Sequence, residues 1–426
     1  MTNGNSAQIV LDRNYKGFPP AAAPCALSEI AARRWNILKH DLPFPIALLR
    51  ESALRHNLAW MQAFAHTHGV DIAPHGKTTM SPELYRLQLD AGAWGMSFAT
   101  VYQLAVGAAA GVKRALIANQ VVCDADLDGL AALQKEYGGL RVWFLVDSVA
   151  QVRLIEAWQE KRQSRAVFDC LLEIGIAGKR TGCRTAEEAV TVAATIFASP
   201  ALRLGGIECY EGSVTTGDSA LDRPAVDALM ARVAEAAKAC DQAGFFADDE
   251  VLVTAGGSAL FDLVADHLRP ALTKPVRGVL RSGCYVTHDH GSYMNLLHKV
   301  EERQHFSSSL RPAIEVWAMV QSRPEPGLAI LTCGKRDISY DLDLPVALYH
   351  CAPGNSLPQS VASEWKLTAL NDQHAYLRFP ENDPGPAVGD LIGLGISHPC
   401  TTFDKWRWLP IVDDSYNVRD AVATHF

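Results

Sequence analysis

No apolar run in this chain approaches the roughly 20 residues that a membrane-spanning helix needs, so no membrane association is expected. Basic charge is also short. Lysine and arginine number 39 against 47 aspartates and glutamates, a net charge of −8, and no long basic run offers a face to nucleic acid. The ten cysteines form no Cys-x-x-Cys pair and no even framework, which argues against a disulfide scaffold and for reduced thiols. Met1-Thr2-Asn3-Gly4-Asn5 lacks the basic start and apolar core of a signal peptide, so a cytoplasmic location is expected. No internal repeat is visible beyond an alternation of strands and helices.

What remains is an ordinary globular composition, 48% hydrophobic and 20% charged, over 426 residues, enough for two domains. Residues 1–45 read as a polar, proline-interrupted lead-in ending at Asp41-Leu42-Pro43-Phe44-Pro45. Ile46-Ala47-Leu48-Leu49 is a short strand candidate, and residues 51–68 carry the apolar spacing of a helix. Eight strand candidates then follow, at 71–74, 94–98, 114–118, 141–146, 169–174, 204–209, 251–255 and 277–281. Most are short and mainly apolar, as expected for strands buried on both faces of a parallel sheet. Helical stretches separate them, for example 126–136, 148–162 and 223–243. Eight such units predict an α/β fold with a (β/α)8 barrel over residues 46–298. A doubly wound open sheet is the alternative, but no Gly-x-Gly-x-x-Gly follows the first strand. Residues 299–426 replace helical periodicity with strands and Gly/Pro/Asp turns, a second, β-rich domain.

In a barrel of this kind the chemistry sits at the carboxyl ends of the strands. Lys77 lies just past the first, in Pro74-His75-Gly76-Lys77-Thr78, where a solvated loop charge is the plain alternative. Arg180 follows the fifth strand, Tyr210 the sixth and Gln120 the third. Gly256-Gly257-Ser258 and Ser282-Gly283-Cys284-Tyr285 follow the seventh and eighth, where many barrels hold a phosphate on backbone N–H groups. Late in the chain, His398-Pro399-Cys400 sets an imidazole and a thiol one residue apart, both good zinc donors, although a lone His-x-Cys is more often structural.

Together these stretches resemble the D-serine dehydratase and D-threonine aldolase family of fold-type III pyridoxal phosphate (PLP) enzymes. The resemblance also takes in Ser81-Pro82-Glu83, Gln88 to Ala93 and Ile117 to Val122, and it covers roughly residues 42 to 410. It implies that Lys77 carries the cofactor covalently and then serves as a base. It further implies that Arg180 faces the pyridine nitrogen, that Tyr210 and Gln120 flank the cofactor, and that Gly256, Gly257, Ser258, Ser282, Gly283 and Tyr285 serve its phosphate end. A divalent metal is implied at His398 and Cys400. The family has His-x-Cys in its dehydratases and His-x-Asp in its aldolases, so zinc and the dehydratase branch are expected. His288, Asp289 and His290 read as loop or substrate-side groups. The chain departs from the family pattern at Thr79-Met80, at Ser213 where a histidine is usual, at Ala259-Leu260, and at Ser282-Gly283-Cys284. The implied activity is elimination of water from D-serine or a related 3-hydroxy D-amino acid, giving a 2-oxo acid and ammonia. An aldolase of the D-threonine type and a non-catalytic PLP-binding protein are the alternatives. A homodimer is expected by analogy, with residues 1–45 joining the β-rich domain.

Overall fold

The computed structural model describes residues 9–426. The chain divides into two compact units. One comprises Met61–Lys77 and Tyr85–Gly283; the other takes the chain up to Trp60, Thr78–Leu84 and Cys284–Phe426.

The first unit is the barrel. Its strands are β2 (Asp71–Ile72), β3 (Met96–Phe98), β4 (Arg114–Gln120), β5 (Arg141–Val146), β6 (Phe168–Ile174), β7 (Leu202–Cys209), β8 (Val251–Ala255) and β9 (Val276–Leu280). They lie in the order β2-β9-β8-β7-β6-β5-β4-β3, every ladder parallel. The ring closes between β2 and β3, where Trp94 N–H donates to Ile72 O (2.9 Å) and Ser97 N–H to Pro74 O (2.8 Å). These eight strands match the eight expected ones, and the reason is visible in their burial. All seven residues of β6 and all five of β8 are buried, one face toward the helices and the other toward the barrel axis.

Side chains fill the barrel's interior. Ala73, Leu116, Trp143, Leu145, Leu171, Leu252 and Val279 form one cluster, with Trp94 packed against it. The large Trp143 ring fits because β7 contributes Gly205 opposite, where a Cβ would stand 2.5 Å from the indole nitrogen. The surrounding helices start on ordinary caps. Thr185 and Glu188 form a capping box on Ala186–Ala198, and Ser148 caps Val149–Arg162.

In the second unit, strand β1 (Ile46–Arg50) runs antiparallel to β10 (Ile314–Glu325), with Leu49 opposite Ile314. It lies outside the barrel's ring, although residue 46 was the start expected for that domain; its Ile-Ala-Leu-Leu run is buried on both faces of the other sheet instead. β10 also pairs with β11 (Leu391–Gly395), which leads directly to His398. Fully buried Trp317 anchors this sheet, its ring parallel to Tyr349 and edge-on to Tyr416. Its indole N–H donates to Glu315 (2.8 Å), and that buried carboxyl also takes a guanidinium hydrogen bond from Arg50 (3.1 Å). Burial lifts the Glu315 pKa, with Arg50 opposing.

Candidate active site

A pocket opens at the carboxyl ends of the barrel strands. Lys77, Arg180, Tyr210, Gly256 and Gly257 all line it, so five of the residues singled out from sequence converge. Lys77 sits on a single 3-10 turn, Gly76–Thr78, just beyond β2. Gly76 is required there. A Cβ would come within 2.7 Å of the Phe98 ring and 2.9 Å of Tyr85, whose hydroxyl donates to Gly76 O (2.9 Å). The loop thus presses onto two aromatic rings and leaves the lysine exposed to the pocket.

Gln120 does not line the pocket; its amide donates to Glu173, which does. Ser282 hydroxyl donates to Gly257 O (2.8 Å), tying the loops after β8 and β9 together. Gly283 packs against the His75 backbone, where a Cβ would stand 2.5 Å from its carbonyl oxygen. Ser258 is half-buried next to the glycine pair and is absent from the lining. Tyr285, His398 and Cys400 belong to the other unit.

Three charged residues at this mouth escaped the reading of the sequence: Glu173, Glu208 and Arg281. Their signal was there, since each stands at or just past the carboxyl end of a mainly apolar barrel strand. Arg281 is buried and donates to Glu208, to Thr254 Oγ1 (3.0 Å) and to Cys209 O (3.0 Å). Burial pushes the Glu208 carboxyl up to about 8, Arg281 pulling it down and Glu173 pushing it further up. Desolvation also raises Glu173, against the hydroxyl of Thr181 and the amide of Gln120. His75 is held well below its usual range by burial and by the cations Lys77, Arg281 and Arg180. The pocket therefore sets Lys77, Arg180 and Arg281 beside carboxyl groups whose charged form burial disfavours, a field that favours anionic ligands. The Arg180 guanidinium lies 4.9 Å from the Tyr210 ring centre.

The glycine pair is engaged already. Gly256 and Gly257 N–H donate to Glu211 Oε2 (2.8 Å) and Oε1 (2.6 Å), and Glu211 is fully buried. Two convergent N–H groups are an anion seat, and here a carboxyl of the chain occupies it. The donor set suits a PLP-like group: a primary amine, cations and an aromatic face. Its phosphate would take these amides by displacing Glu211, or would bind beside them.

In the second unit the His398 Nδ1 lies 2.6 Å from Asp341 Oδ2. A carboxylate holding one ring nitrogen leaves the other, Nε2, to bind a metal. Cys400 Sγ lies 3.5 Å from Thr78 Oγ1 and 3.8 Å from Cys284 Sγ. Hydrogen bonding to Cys400, against desolvation, brings the Cys284 thiol down to about 6. Among the described residues, no three His, Cys, Asp or Glu side chains stand gathered round one point as a finished metal site. The His398–Cys400 pair nevertheless has the right chemistry and outer support for one. Asp289 accepts from the N–H groups of Gly291, Tyr293 and Met294 at the start of helix Ser292–Gln304, which makes it a structural cap. Neither His288 nor His290 lines the pocket.

The family model of the alanine racemase N-terminal domain matches residues 49–272. The chain belongs to that family. Residues 313–412 match a second model, the "Putative serine dehydratase domain". Among curated proteins, the 3-hydroxy-D-aspartate aldolase of Paracoccus denitrificans (strain Pd 1222) is 28% identical over 72% of this chain and 75% of its own. The D-threonine aldolase of an Arthrobacter species is 27% identical over 87% and 89%. Among solved structures, D-threo-3-hydroxyaspartate dehydratase from Delftia sp. HT23 has a TM-score of 0.69, is 22% identical, and covers 92% of this chain and 99% of its own. A cysteine-to-alanine variant of a D-threo-3-hydroxyaspartate dehydratase, solved in a metal-free form, has a TM-score of 0.71 at the same identity and coverage. This chain shares their architecture, a fold-type III barrel with a β-rich second domain. No helix among the described residues is long and apolar enough to cross a membrane.

Proposed function

We propose that the chain is a PLP- and zinc-dependent lyase that eliminates water from a 3-hydroxy D-amino acid, D-serine or a related compound, to give a 2-oxo acid and ammonia. The observation that carries it is the convergence of Lys77, Arg180, Tyr210 and Gly256–Gly257 on one cationic pocket at the barrel mouth. Bound PLP supplies the electron sink that makes the substrate's α-proton acidic. Lys77 holds the cofactor and afterwards accepts that proton at Nζ, the role for which a deprotonatable primary amine is needed. Arg180 and Arg281 keep the pocket positive toward the substrate carboxylate and the phosphate. Glu208, with its raised pKa, adds little opposing charge.

Cys400 and His398 would hold zinc, with Asp341 fixing the ring of His398. As a Lewis acid the ion would help the β-hydroxyl leave. A thiol at this place, rather than a carboxylate, supports the dehydratase reading. The aldolase reading has its own support in the two aldolases just described, at 27–28% identity. D-threonine separates the two. With PLP and zinc present, 2-oxobutyrate and ammonia are expected; glycine and acetaldehyde would establish cleavage of the Cα–Cβ bond and overturn the dehydratase reading.

A further inference from the structure

The geometry points to Cys284 as a second thiolate ligand of the metal, beside Cys400. This rests on the metal reading given above and goes beyond it, since nothing in the His-x-Cys pair calls for a second sulfur. Cys284 is buried on the 3-10 turn Cys284–Val286, and its Sγ lies 3.8 Å from Cys400 Sγ. Thr78 Oγ1 completes a triangle, 3.6 Å from Cys284 Sγ and 3.5 Å from Cys400 Sγ.

The sulfur–sulfur edge is one that a metal shell would accommodate. Two thiolates each about 2.3 Å from a tetrahedral zinc stand about 3.8 Å apart, the spacing of the two sulfurs, with Thr78 a hydrogen-bonding neighbour of both. Two neutral thiols sharing weak hydrogen bonds with a threonine take similar spacings, so the sulfur count decides. Cys284 and Cys400 then form one edge of the coordination shell. His398, its Nδ1 tied to Asp341, keeps Nε2 for a third position, and the fourth would be left to water or a substrate hydroxyl. The three donors do not yet surround one point, so metal uptake closes the set by side-chain motion. Two soft sulfurs also set the preference, toward zinc, cobalt or cadmium over magnesium or manganese.

The test is zinc X-ray absorption on the protein loaded with zinc and PLP. Two sulfurs near 2.3 Å are expected in the unaltered protein, falling to one in Cys284→Ser, with zinc affinity dropping by more than the roughly 10–100-fold that losing an outer-shell partner costs. One sulfur in the unaltered protein, unchanged in Cys284→Ser, would overturn the role of Cys284 and leave the His398–Cys400 pair standing. No sulfur, or no stoichiometric zinc, would overturn both. The count in the unaltered protein decides the matter even if the variant fails to fold.

Discussion

The barrel carries arginine–carboxylate clusters at both ends, and they are built differently. At the base, where the strands start, Arg141 bonds Asp169 (2.8 Å) and Asp248, Arg203 bonds Asp248 (2.7 Å), and Arg277 bonds Glu250 (2.7 Å) and Asp71. Those groups are part-exposed and satisfy one another. At the mouth the Arg281–Glu208 pair is 5% and 2% exposed. There Glu208 Oε2 and His75 Nδ1 are buried with no hydrogen-bond partner among the described residues. Polar atoms left this way are costly, and a ligand at the mouth would supply their partners. The same residue types thus pair with one another in part-exposed positions at one end of the barrel and are held buried at the other, consistent with chemistry at the strand carboxyl ends.

Substitutions at the two ends should separate accordingly. Lys77→Ala is expected to abolish cofactor colour and lower turnover by at least ~10³-fold, with little change in melting temperature, because the side chain is exposed. A large loss of stability instead would make Lys77 a structural residue. Glu208→Ala removes the carboxyl that accepts from the buried Arg281 guanidinium and should cost about 1–3 kcal/mol in denaturant unfolding. A cost below 1 kcal/mol would mean that water reaches this pair.

The raised Glu208 pKa has a sign that can be checked. Its native state holds the proton more tightly than the unfolded chain, whose carboxyl titrates near 4.5. The resulting stabilisation is complete below that value and is lost as pH rises through about 8. Between pH 7 and 9 the unaltered protein should lose on the order of 1 kcal/mol relative to Glu208→Gln. Equal slopes in the two would contradict it. The smallest effect belongs to the base. Arg141→Ala removes a 40%-exposed partner of two carboxylates and should cost about 1 kcal/mol, with activity unchanged. A tenfold fall in turnover there would erase the distinction between the ends.

Much of this was legible in the sequence, for physical reasons. Strands buried on both faces are continuous apolar runs, so β4 to β9 stand out between helices, and Lys77, Arg180, Tyr210 and the glycine pair could be placed by strand order. Strand β1 was visible as a strand, but its sheet was not, because an apolar run does not name its partner. Arg281 and Glu208 were missed because a charge inside a strand reads as a break in its pattern until its partner, 73 residues away, is known. Glu211 on the glycine amides and Cys284 against Cys400 are likewise contacts across long stretches of chain.

The central claim is that the barrel mouth binds PLP through Lys77. Its most direct test is borohydride reduction of the PLP-loaded protein followed by peptide mass spectrometry. A pyridoxyl mass on the peptide containing Lys77, and on no other lysine, is the expected result. Modification elsewhere, or none in protein that retains the cofactor, would contradict the account.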